Sequence, residues 1–281
     1  MAEILKGLPV AKALSETLCT RSEKLSEKGV IPTLCIIRVG ERGDDISYEK
    51  GAQKRCAMTG VRLLNVTLPE DCTKEELLSE IRKVNEDDSI HGCLMFRPLP
   101  DPEMEKAACE LLDPKKDVDC MTLGSLARVF SGKGEGYPPC TAQACIEILD
   151  YYGIPVSRKR VTVIGRSLVV GRPLNMMLEE RDATVTMCHR KTVNLSLSCK
   201  DAEILISAAG NPGFVTDGFF NRDQIVIDVG INVNPEGKLC GDVDFETAAG
   251  IVKAVTPVPG GVGSVTTAVL CKHVIEAAEK A

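Results

Sequence analysis

The feature that most restricts the folds open to this chain is an apolar strand that runs directly into a glycine turn. It covers residues 161–171 and reads VTVIGRSLVVG. Its β-branched residues predict a buried parallel strand from about Arg160 to Gly165, and a helix follows Gly171, with Pro173 in its first turn. This order is typical of a doubly wound sheet that binds a nucleotide at the turn. The glycine spacing differs from the common dinucleotide fingerprint, so an ordinary turn without a ligand stays open.

A second predicted strand, residues 183–188, ends in a basic segment. His189, Arg190 and Lys191 follow it, where NAD-binding folds usually place an acidic residue for the ribose 2′-hydroxyl. An arginine fork suits the oxygens of a 2′-phosphate, so Arg166 and Arg190 favour NADP, with NAD still possible. A solvated basic loop is the alternative explanation of these charges.

Length and charge exclude several classes of protein. A chain of 281 residues exceeds one typical core, so two domains are expected. The net charge of −6 gives no basic field for nucleic acid, although a local site for an anionic ligand is compatible with it. The apolar runs are too short to span a bilayer, and the amino terminus lacks a signal-peptide core. We expect a cytoplasmic protein with neither a nucleic-acid nor a membrane partner.

Cysteine and histidine spacing gives no sign of a metal site. The 13 cysteines lie singly along the chain without a C-x-x-C pair, which is typical of reduced core residues. The three histidines, at positions 91, 189 and 273, form no cluster with metal-ligand spacing. We therefore predict no metal ion.

Predicted helices and strands alternate from one end of the chain to the other. This βα repetition predicts an α/β fold with parallel sheets and helices on both faces. We expect two domains with a cleft between them: an N-terminal αβ domain at residues 1–140 and a Rossmann-type doubly wound domain at 141–263. The last helix, residues 264–281, is expected to pack back on the first domain. The predicted strands lie at 33–39, 61–68, 92–96, 160–165, 183–188 and near 204 and 225, and the predicted helices include 47–58 and 74–85.

A set of short motifs resembles the methylenetetrahydrofolate dehydrogenase/cyclohydrolase family over essentially the whole chain. Each is weak alone, whereas their order and spacing together are specific. They are SY at 47–48, RPLP at 97–100, KDVD at 116–119, PCT at 139–141, IGRS at 164–167, VGRP at 170–173, DVGIN at 228–232, GDVD at 241–244 and TPVPGGVG at 256–263.

The resemblance implies an activity and a set of site residues. Family members oxidise 5,10-methylenetetrahydrofolate to the methenyl compound with NADP or NAD, and most then hydrolyse it to 10-formyltetrahydrofolate. The resemblance implies that Tyr48 contacts the folate, that Asp119 binds the pterin and that the loop Pro259, Gly260 and Gly261 closes the site. It also implies a homodimer. The expected cofactor-binding residues are Gly165, Arg166, Ser167, Gly171, His189, Arg190 and Ile231.

Ordinary structural roles remain open for these residues. Tyr48 fits a buried aromatic with a local hydrogen bond, Asp119 a turn residue and the Pro-Gly loop a tight connection. Two other classes also remain open: a non-catalytic folate- or nucleotide-binding protein, and a different Rossmann dehydrogenase that acts, for example, on an amino acid.

Three positions depart from the family pattern. Bifunctional members carry a lysine four residues after the tyrosine, and this chain has Ala52 there. Lys50 and Lys54 lie about 200° and 240° around the helix from Tyr48, so neither replaces that lysine. Phe96 occupies the position of a family glutamine, and Arg190 that of a frequent serine.

These losses affect the two reactions differently. Hydride transfer requires mainly alignment of two rings, because the folate nitrogens stabilise the cation that forms. Hydrolysis requires proton transfers by a positioned polar group. We therefore expect a dehydrogenase with weak or absent cyclohydrolase activity, with a fully bifunctional enzyme as the alternative.

Overall fold

The computed structural model describes residues 1–281. The chain forms two compact units, and each combines two stretches of sequence. The small-sheet unit comprises Ala13–Cys140 with Thr267–Ala281. The large-sheet unit comprises Met1–Lys12 with Thr141–Thr266.

Strands and helices alternate along most of the chain. The strands are β1 Glu3–Ile4, β2 Thr33–Val39, β3 Arg62–Leu68, β4 Gly92–Met95, β5 Arg160–Ile164, β6 Thr184–Cys188, β7 Ile204–Ser207, β8 Ile225–Asp228, β9 Asn232–Val233, β10 Leu239–Cys240 and β11 Ala254–Val255. The helices are α1 Gly7–Glu27, α2 Gly43–Thr59, α3 Lys74–Glu86, α4 Pro102–Leu111, α5 Leu123–Ser131, α6 Cys140–Tyr151, α7 Gly171–Glu179, α8 Leu195–Lys200, α9 Phe245–Ile251 and α10 Thr266–Ala278.

The small-sheet unit is built on three parallel strands in the order β3-β2-β4. Every residue of the central strand β2 is buried except the half-buried Arg38, as a parallel strand covered on both faces requires. Beyond β4, Asp117 pairs in parallel with Cys93. The 117–119 segment therefore runs alongside β4 toward the same carboxyl edge of the sheet.

The large-sheet unit contains six parallel strands in the order β1-β11-β8-β7-β5-β6. The chain moves outward from β5 to β6 and then returns past β5 to β7, so the direction of winding reverses between β5 and β7. Because parallel crossovers are right-handed, this reversal puts α7 and α8 on opposite faces. Ligands of such sheets bind outside the carboxyl ends of the strands at this reversal. The α/β architecture with a Rossmann-type sheet is the predicted fold.

The predicted bounds of the strands and helices agree closely with the observed bounds in the interior of the chain and less well at its start. Strand β2 has the predicted bounds, and β3 and β6 each begin one residue later than expected. Helix α2 begins at Gly43, four residues before the predicted start. Residues 1–12, assigned by the sequence to the first domain, lie instead in the large-sheet unit because β1 pairs with β11. No helix combines the length and the apolar composition that crossing a membrane requires.

Candidate functional site

The turn after β5 is built by a backbone-to-backbone contact between two glycines. A Cβ atom added to Gly171 would lie 2.2 Å from the carbonyl oxygen of Gly165. Gly165 has a φ of +140°, and a Cβ there would lie 2.5 Å from the carbonyl oxygen of Ala208. Both positions therefore require glycine, and the amino end of α7 is held directly against the end of β5.

The residues inside this turn bond the first N–H groups of α7. The Ser167 hydroxyl oxygen accepts hydrogen bonds from the backbone N–H groups of Val170, at 3.1 Å, and Gly171, at 3.4 Å. Arg166 is exposed. Because the amino end of a helix attracts anions, this turn is suited to a phosphate group.

The end of β6 adds basic side chains next to this turn. The Gly165 N–H donates to the Cys188 carbonyl at 2.9 Å. The segments that follow β5 and β6 therefore begin next to each other. His189 is half-buried, and its Nδ1 accepts from the Lys191 N–H at 3.2 Å. Arg190 is exposed. The structure thus brings Gly165, Arg166, Ser167, Gly171, His189 and Arg190 together at one end of the sheet.

A buried carboxylate shapes the loop after β7. Asp242 has no exposed surface, and its oxygens accept hydrogen bonds from the N–H groups of Ala209, Gly210 and Asn211, at 2.7, 3.2 and 2.9 Å. They also accept from the Ser207 hydroxyl, at 3.1 Å, and the Asn232 amide, at 2.9 Å. Asp242 therefore fixes the backbone opposite Gly165. The sequence analysis included Asp242 in a family motif and gave it no role.

Asp228, at the end of β8, supports the same region. Its carboxylate accepts hydrogen bonds from the N–H groups of Gly230, Asp242 and Val243, at 2.9, 3.1 and 3.0 Å. Burial nevertheless raises the pKa of Asp228 to about 6, because the three donors offset the loss of hydration only in part.

Ile231 and the Pro-Gly loop lie together in the large-sheet unit. Residues 228–231, Leu239 and residues 257–264 line a cavity of about 220 Å³. Ile231 is 68% exposed, which is unusual for a large apolar side chain and is typical of a surface that a ligand covers. Pro259 and Gly260 are exposed, whereas Gly261 is buried. Pro259, Gly260 and Gly261 thus accompany the cofactor candidate Ile231, while Tyr48 and Asp119 belong to the small-sheet unit.

Helix α2 carries the central tyrosine of the small-sheet unit. The Glu49 carboxylate accepts from the Nε of Arg38 on β2 and from the amide of Asn65 on β3, both at 2.9 Å. These bonds fix the helix on the sheet. The half-buried Tyr48 ring contacts Phe96 edge to face, with ring centroids 5.8 Å apart. Ala52, one turn later, is 0% exposed.

The KDVD motif divides into structural residues and one candidate ligand-binding residue. The Lys116 ammonium donates to the carbonyls of Val84, Asn85 and Asp87, which closes the end of α3. The Asp117 carboxylate accepts from the N–H groups of Met121 and Thr122, at 2.9 and 2.8 Å. Both side chains therefore hold the backbone on either side of residues 118–119.

Asp119 is the motif residue whose carboxylate keeps an unused acceptor. Its Oδ1 accepts from the Cys140 N–H at 2.8 Å, and the Cys140 thiol also acts on this carboxylate as a donor. Burial raises the pKa of Asp119, while the Cys140 N–H and the positive charge of Arg97 act in the opposite direction. The carboxylate thus has one free oxygen at the carboxyl edge of the sheet, as a residue that binds a ligand donor requires.

A buried histidine that the sequence analysis did not single out supports this segment. His273 on α10 is buried, and its Nδ1 donates to the Val118 carbonyl at 2.9 Å. Its ring stacks on Tyr137 with centroids 5.1 Å apart. Burial lowers the pKa of His273 to about 3, so the imidazole is neutral at pH 7.

Potential metal ligands are not clustered anywhere in the structure. It contains no group of three or more His, Cys, Asp or Glu side chains arranged to hold a metal ion. All thirteen cysteines are free thiols, and ten of them are buried. The candidate residues of the large-sheet unit are a glycine turn and its neighbouring arginines, and those of the small-sheet unit are a carboxylate and a tyrosine.

Comparison with known families identifies both parts of the chain. Residues 5–119 match the family described as "Tetrahydrofolate dehydrogenase/cyclohydrolase, catalytic domain". Residues 139–281 match the one described as "Tetrahydrofolate dehydrogenase/cyclohydrolase, NAD(P)-binding domain". The two matches together span most of the sequence.

Individual proteins match over the same length. The bifunctional protein FolD of Alkaliphilus oremlandii is 47% identical over 277 residues, which covers 99% of this chain and 97% of the relative. The structure of the bifunctional FolD of Campylobacter jejuni superposes with a TM-score of 0.95 at 35% identity, over 100% of this chain and 99% of that chain. The Trypanosoma brucei FolD, complexed with NADP and an inhibitor, has a TM-score of 0.92 at 34% identity, over 99% and 98% of the chains.

Proposed function

Because the chain belongs to the tetrahydrofolate dehydrogenase/cyclohydrolase family, we propose that it is an NADP-dependent 5,10-methylenetetrahydrofolate dehydrogenase of one-carbon metabolism whose cyclohydrolase activity is weak or lost. Its substrate is a reduced folate, and its cofactor is NADP, with NAD as a second possibility. The fully buried Ala52 on the Tyr48 face of α2 is the observation that carries the cyclohydrolase part of the proposal.

The turn after β5 supports binding of the dinucleotide. Gly165 and Gly171 allow backbone to approach backbone, and the amino end of α7 is suited to the phosphates. Arg166 and Arg190 are exposed at adjoining strand ends, where two guanidinium groups match a ribose 2′-phosphate. Ile231 offers an exposed apolar surface to a flat ring. When bound, NADP supplies the hydride acceptor.

The folate-binding residues of the small-sheet unit orient the substrate. Tyr48 offers an aromatic ring held in place by Phe96, and Asp119 offers a free carboxylate oxygen for pterin N–H groups. Alignment of the reacting carbon is the main requirement of the dehydrogenase step. The side chains present are therefore sufficient for oxidation of the methylene compound.

Hydrolysis requires more than alignment, and the residues for it are missing. Water attack on the methenyl carbon needs a group that holds and transfers a proton, and neither the methyl of Ala52 nor the ring of Phe96 can do so. Lys50 and Lys54 are exposed and lie on other faces of α2. Ala52 and Phe96 thus stand where family members with both activities have a lysine and a glutamine.

Full bifunctionality is the second candidate, and a specific observation favours it. The relative that is 47% identical over nearly the whole chain is named a bifunctional protein. In that case another cationic group, such as Arg97, Lys50 or Lys54, would perform the role of the lysine. The two candidates differ in one measurable rate.

The proposal is tested by restoring the lysine. We expect wild-type protein to reduce NADP with methylenetetrahydrofolate while methenyltetrahydrofolate decays at the buffer rate. Ala52→Lys should raise the decay by about 100-fold, the usual minimum for a general acid or base. Gln53→Lys, which adds the same charge at the next, exposed position of α2, should not. Rapid decay with wild-type protein would favour the bifunctional candidate.

Two further expectations concern the state of the protein in the cell. We expect a homodimer, which light scattering on the purified protein would detect as a mass of about twice 30.3 kDa. We also expect the protein in the cytoplasm, since thirteen free thiols, mostly buried, suit a reducing compartment. A monomer at micromolar concentration would contradict the first expectation.

A further inference from the structure

Arg97 is a half-buried cation without a protein partner. It lies two residues after the last residue of β4, at the carboxyl edge of the small sheet where α/β proteins bind their ligands. Its guanidinium makes no hydrogen bond and no ion pair within the protein, although Arg38 and Arg42 at the same edge both do. The only buried side-chain N or O atom without a partner is Gln224 Oε1, so the unpaired N–H donors of Arg97 reach solvent and are available to a ligand that accepts hydrogen bonds.

Arg97 and Asp119 lie at the same sheet edge because their segments run side by side. The parallel pairing of Cys93 with Asp117 places Asp119 two residues further along, level with the end of β4. The charge of Arg97 acts on the Asp119 carboxyl, yet the two groups are too far apart to form an ion pair. A gap therefore separates the acceptor oxygen of Asp119 from the N–H donors of Arg97.

We propose that Arg97 and Asp119 together read the 2-amino-4-oxo edge of the pterin, with Arg97 donating to the 4-oxo oxygen and Asp119 accepting from the adjacent N–H groups. This inference rests on the proposed function and adds a specificity-determining residue to it.

The chemistry of the pterin edge matches this pair of side chains. A 2-amino-4-oxo ring presents an acceptor at position 4 beside donors at N3 and the 2-amino group, and a planar guanidinium beside a carboxylate has the complementary order. A 4-amino ring presents a donor at position 4 and no proton on N3. Arg97 would then face a donor, so the site should discriminate against 4-amino pteridines.

Folic acid and aminopterin test the inference because they differ only at this edge. Their dissociation constants are measured by titration calorimetry with the full-length protein. We expect wild-type protein to bind folic acid more tightly than aminopterin. Arg97→Met should lower the ratio of the aminopterin to the folic acid dissociation constant by about tenfold or more, since a charge-assisted hydrogen bond is lost from one ligand only.

Two further variants separate recognition from stability. Arg97→Lys keeps the charge, so the ratio should fall less than in Arg97→Met. Arg82→Met removes an exposed arginine of α3 that pairs with Glu75, and it should leave the ratio unchanged. Melting curves of all variants show whether each one folds.

The possible outcomes distinguish this inference from the proposed function. Equal losses of affinity for both ligands in Arg97→Met, or no change in either, would overturn the role of Arg97 at the pterin edge, while dehydrogenase activity of the wild-type protein would still support the proposed function. Absence of dehydrogenase activity in wild-type protein, together with absence of binding to both ligands, would overturn the proposed function and the inference with it.

Discussion

Tyr48 and Ala52 lie one turn apart on the same face of α2, and the Ala52 methyl group is fully buried at the position where a lysine would share that face with the tyrosine. The edge-to-face contact of Tyr48 with Phe96 fills the side where a glutamine is expected. The candidate substrate-binding groups thus remain, whereas the candidate proton-transferring groups are reduced. This arrangement supports the proposal of a dehydrogenase without an efficient hydrolase step.

Removing either arginine of the nucleotide site should affect NADP more than NAD. Arg166→Ala and Arg190→Ala each remove a guanidinium that suits the 2′-phosphate, which NAD lacks. We expect the KM for NADP to rise about tenfold or more and the KM for NAD to change little. Steady-state kinetics with both cofactors measures this. Equal changes in the two KM values would exclude a role of that arginine in binding the phosphate.

A methyl group at Gly171 should destabilise the turn after β5. The added Cβ would lie 2.2 Å from the Gly165 carbonyl oxygen, so β5 and α7 would have to separate. We expect Gly171→Ala to lower the free energy of unfolding by about 1 to 3 kcal/mol and to weaken NADP binding. Gly218→Ala is the control, because a Cβ there meets no atom within 4 Å. Thermal melts with and without NADP would show the difference, and equal behaviour of the two variants would contradict the close-contact explanation.

Asp242 should act as a positioning residue for the cofactor loop. Asp242→Asn replaces an acceptor oxygen with an N–H group that faces backbone donors, so some N–H groups of residues 209–211 lose their partner. We expect a loss of about 3 kcal/mol in the free energy of unfolding and a higher KM for NADP. Asp244→Asn, a substitution at the amino cap of α9, should be nearly neutral because asparagine caps as well as aspartate. A stable Asp242→Asn protein with unchanged KM would refute this role.

His273 should make stability depend on pH in acid. Its folded pKa of about 3 lies below the unfolded value of about 6.5, so only the unfolded chain binds a proton between these values. The stability contributed by neutral His273 is complete above pH 6.5. It is lost as the pH falls through this window, at up to about 1.4 kcal/mol per pH unit.

The comparison variant for this pH effect is His273→Asn, which keeps an N–H donor for the Val118 carbonyl and does not titrate. Urea unfolding between pH 4 and 7 should give a stability difference between the two proteins that changes with pH. The raised pKa of Asp228 has the opposite effect on the pH dependence of stability. Asp228 is present in both proteins, so its contribution cancels in their stability difference. Parallel stability profiles would show that His273 is protonated in the folded state.

Local patterns in the sequence were sufficient to predict the longer sheet strands and the turn after β5. Strand β2 is a run of buried residues bounded by turn residues, and Val161–Ile164 followed by glycine is equally distinct. The two-residue strand β1 has no such pattern, and its pairing with β11 joins residues 251 positions apart. The membership of residues 1–12 in the large-sheet unit was therefore not predictable from local periodicity.

The roles of Asp242 and His273 were not predictable from the sequence for a different reason. Asp242 acts on backbone N–H groups that precede it by 31 to 33 residues, and backbone donors leave no trace in side-chain spacing. His273 is a single histidine on an apolar helix, where sequence alone cannot distinguish a core residue from a functional one. Departures from a family pattern, by contrast, are visible in sequence, which is why Ala52, Phe96 and Arg190 could be singled out.

The decay of methenyltetrahydrofolate absorbance with wild-type protein, in a preparation whose dehydrogenase activity is measured in parallel, tests the central claim most directly. The buried Ala52 predicts rapid NADP reduction with methylenetetrahydrofolate and methenyl decay at the rate of buffer alone. Decay well above the buffer rate, at a rate comparable to that of the dehydrogenase, would contradict the claim and would show that another group performs the role of the lysine.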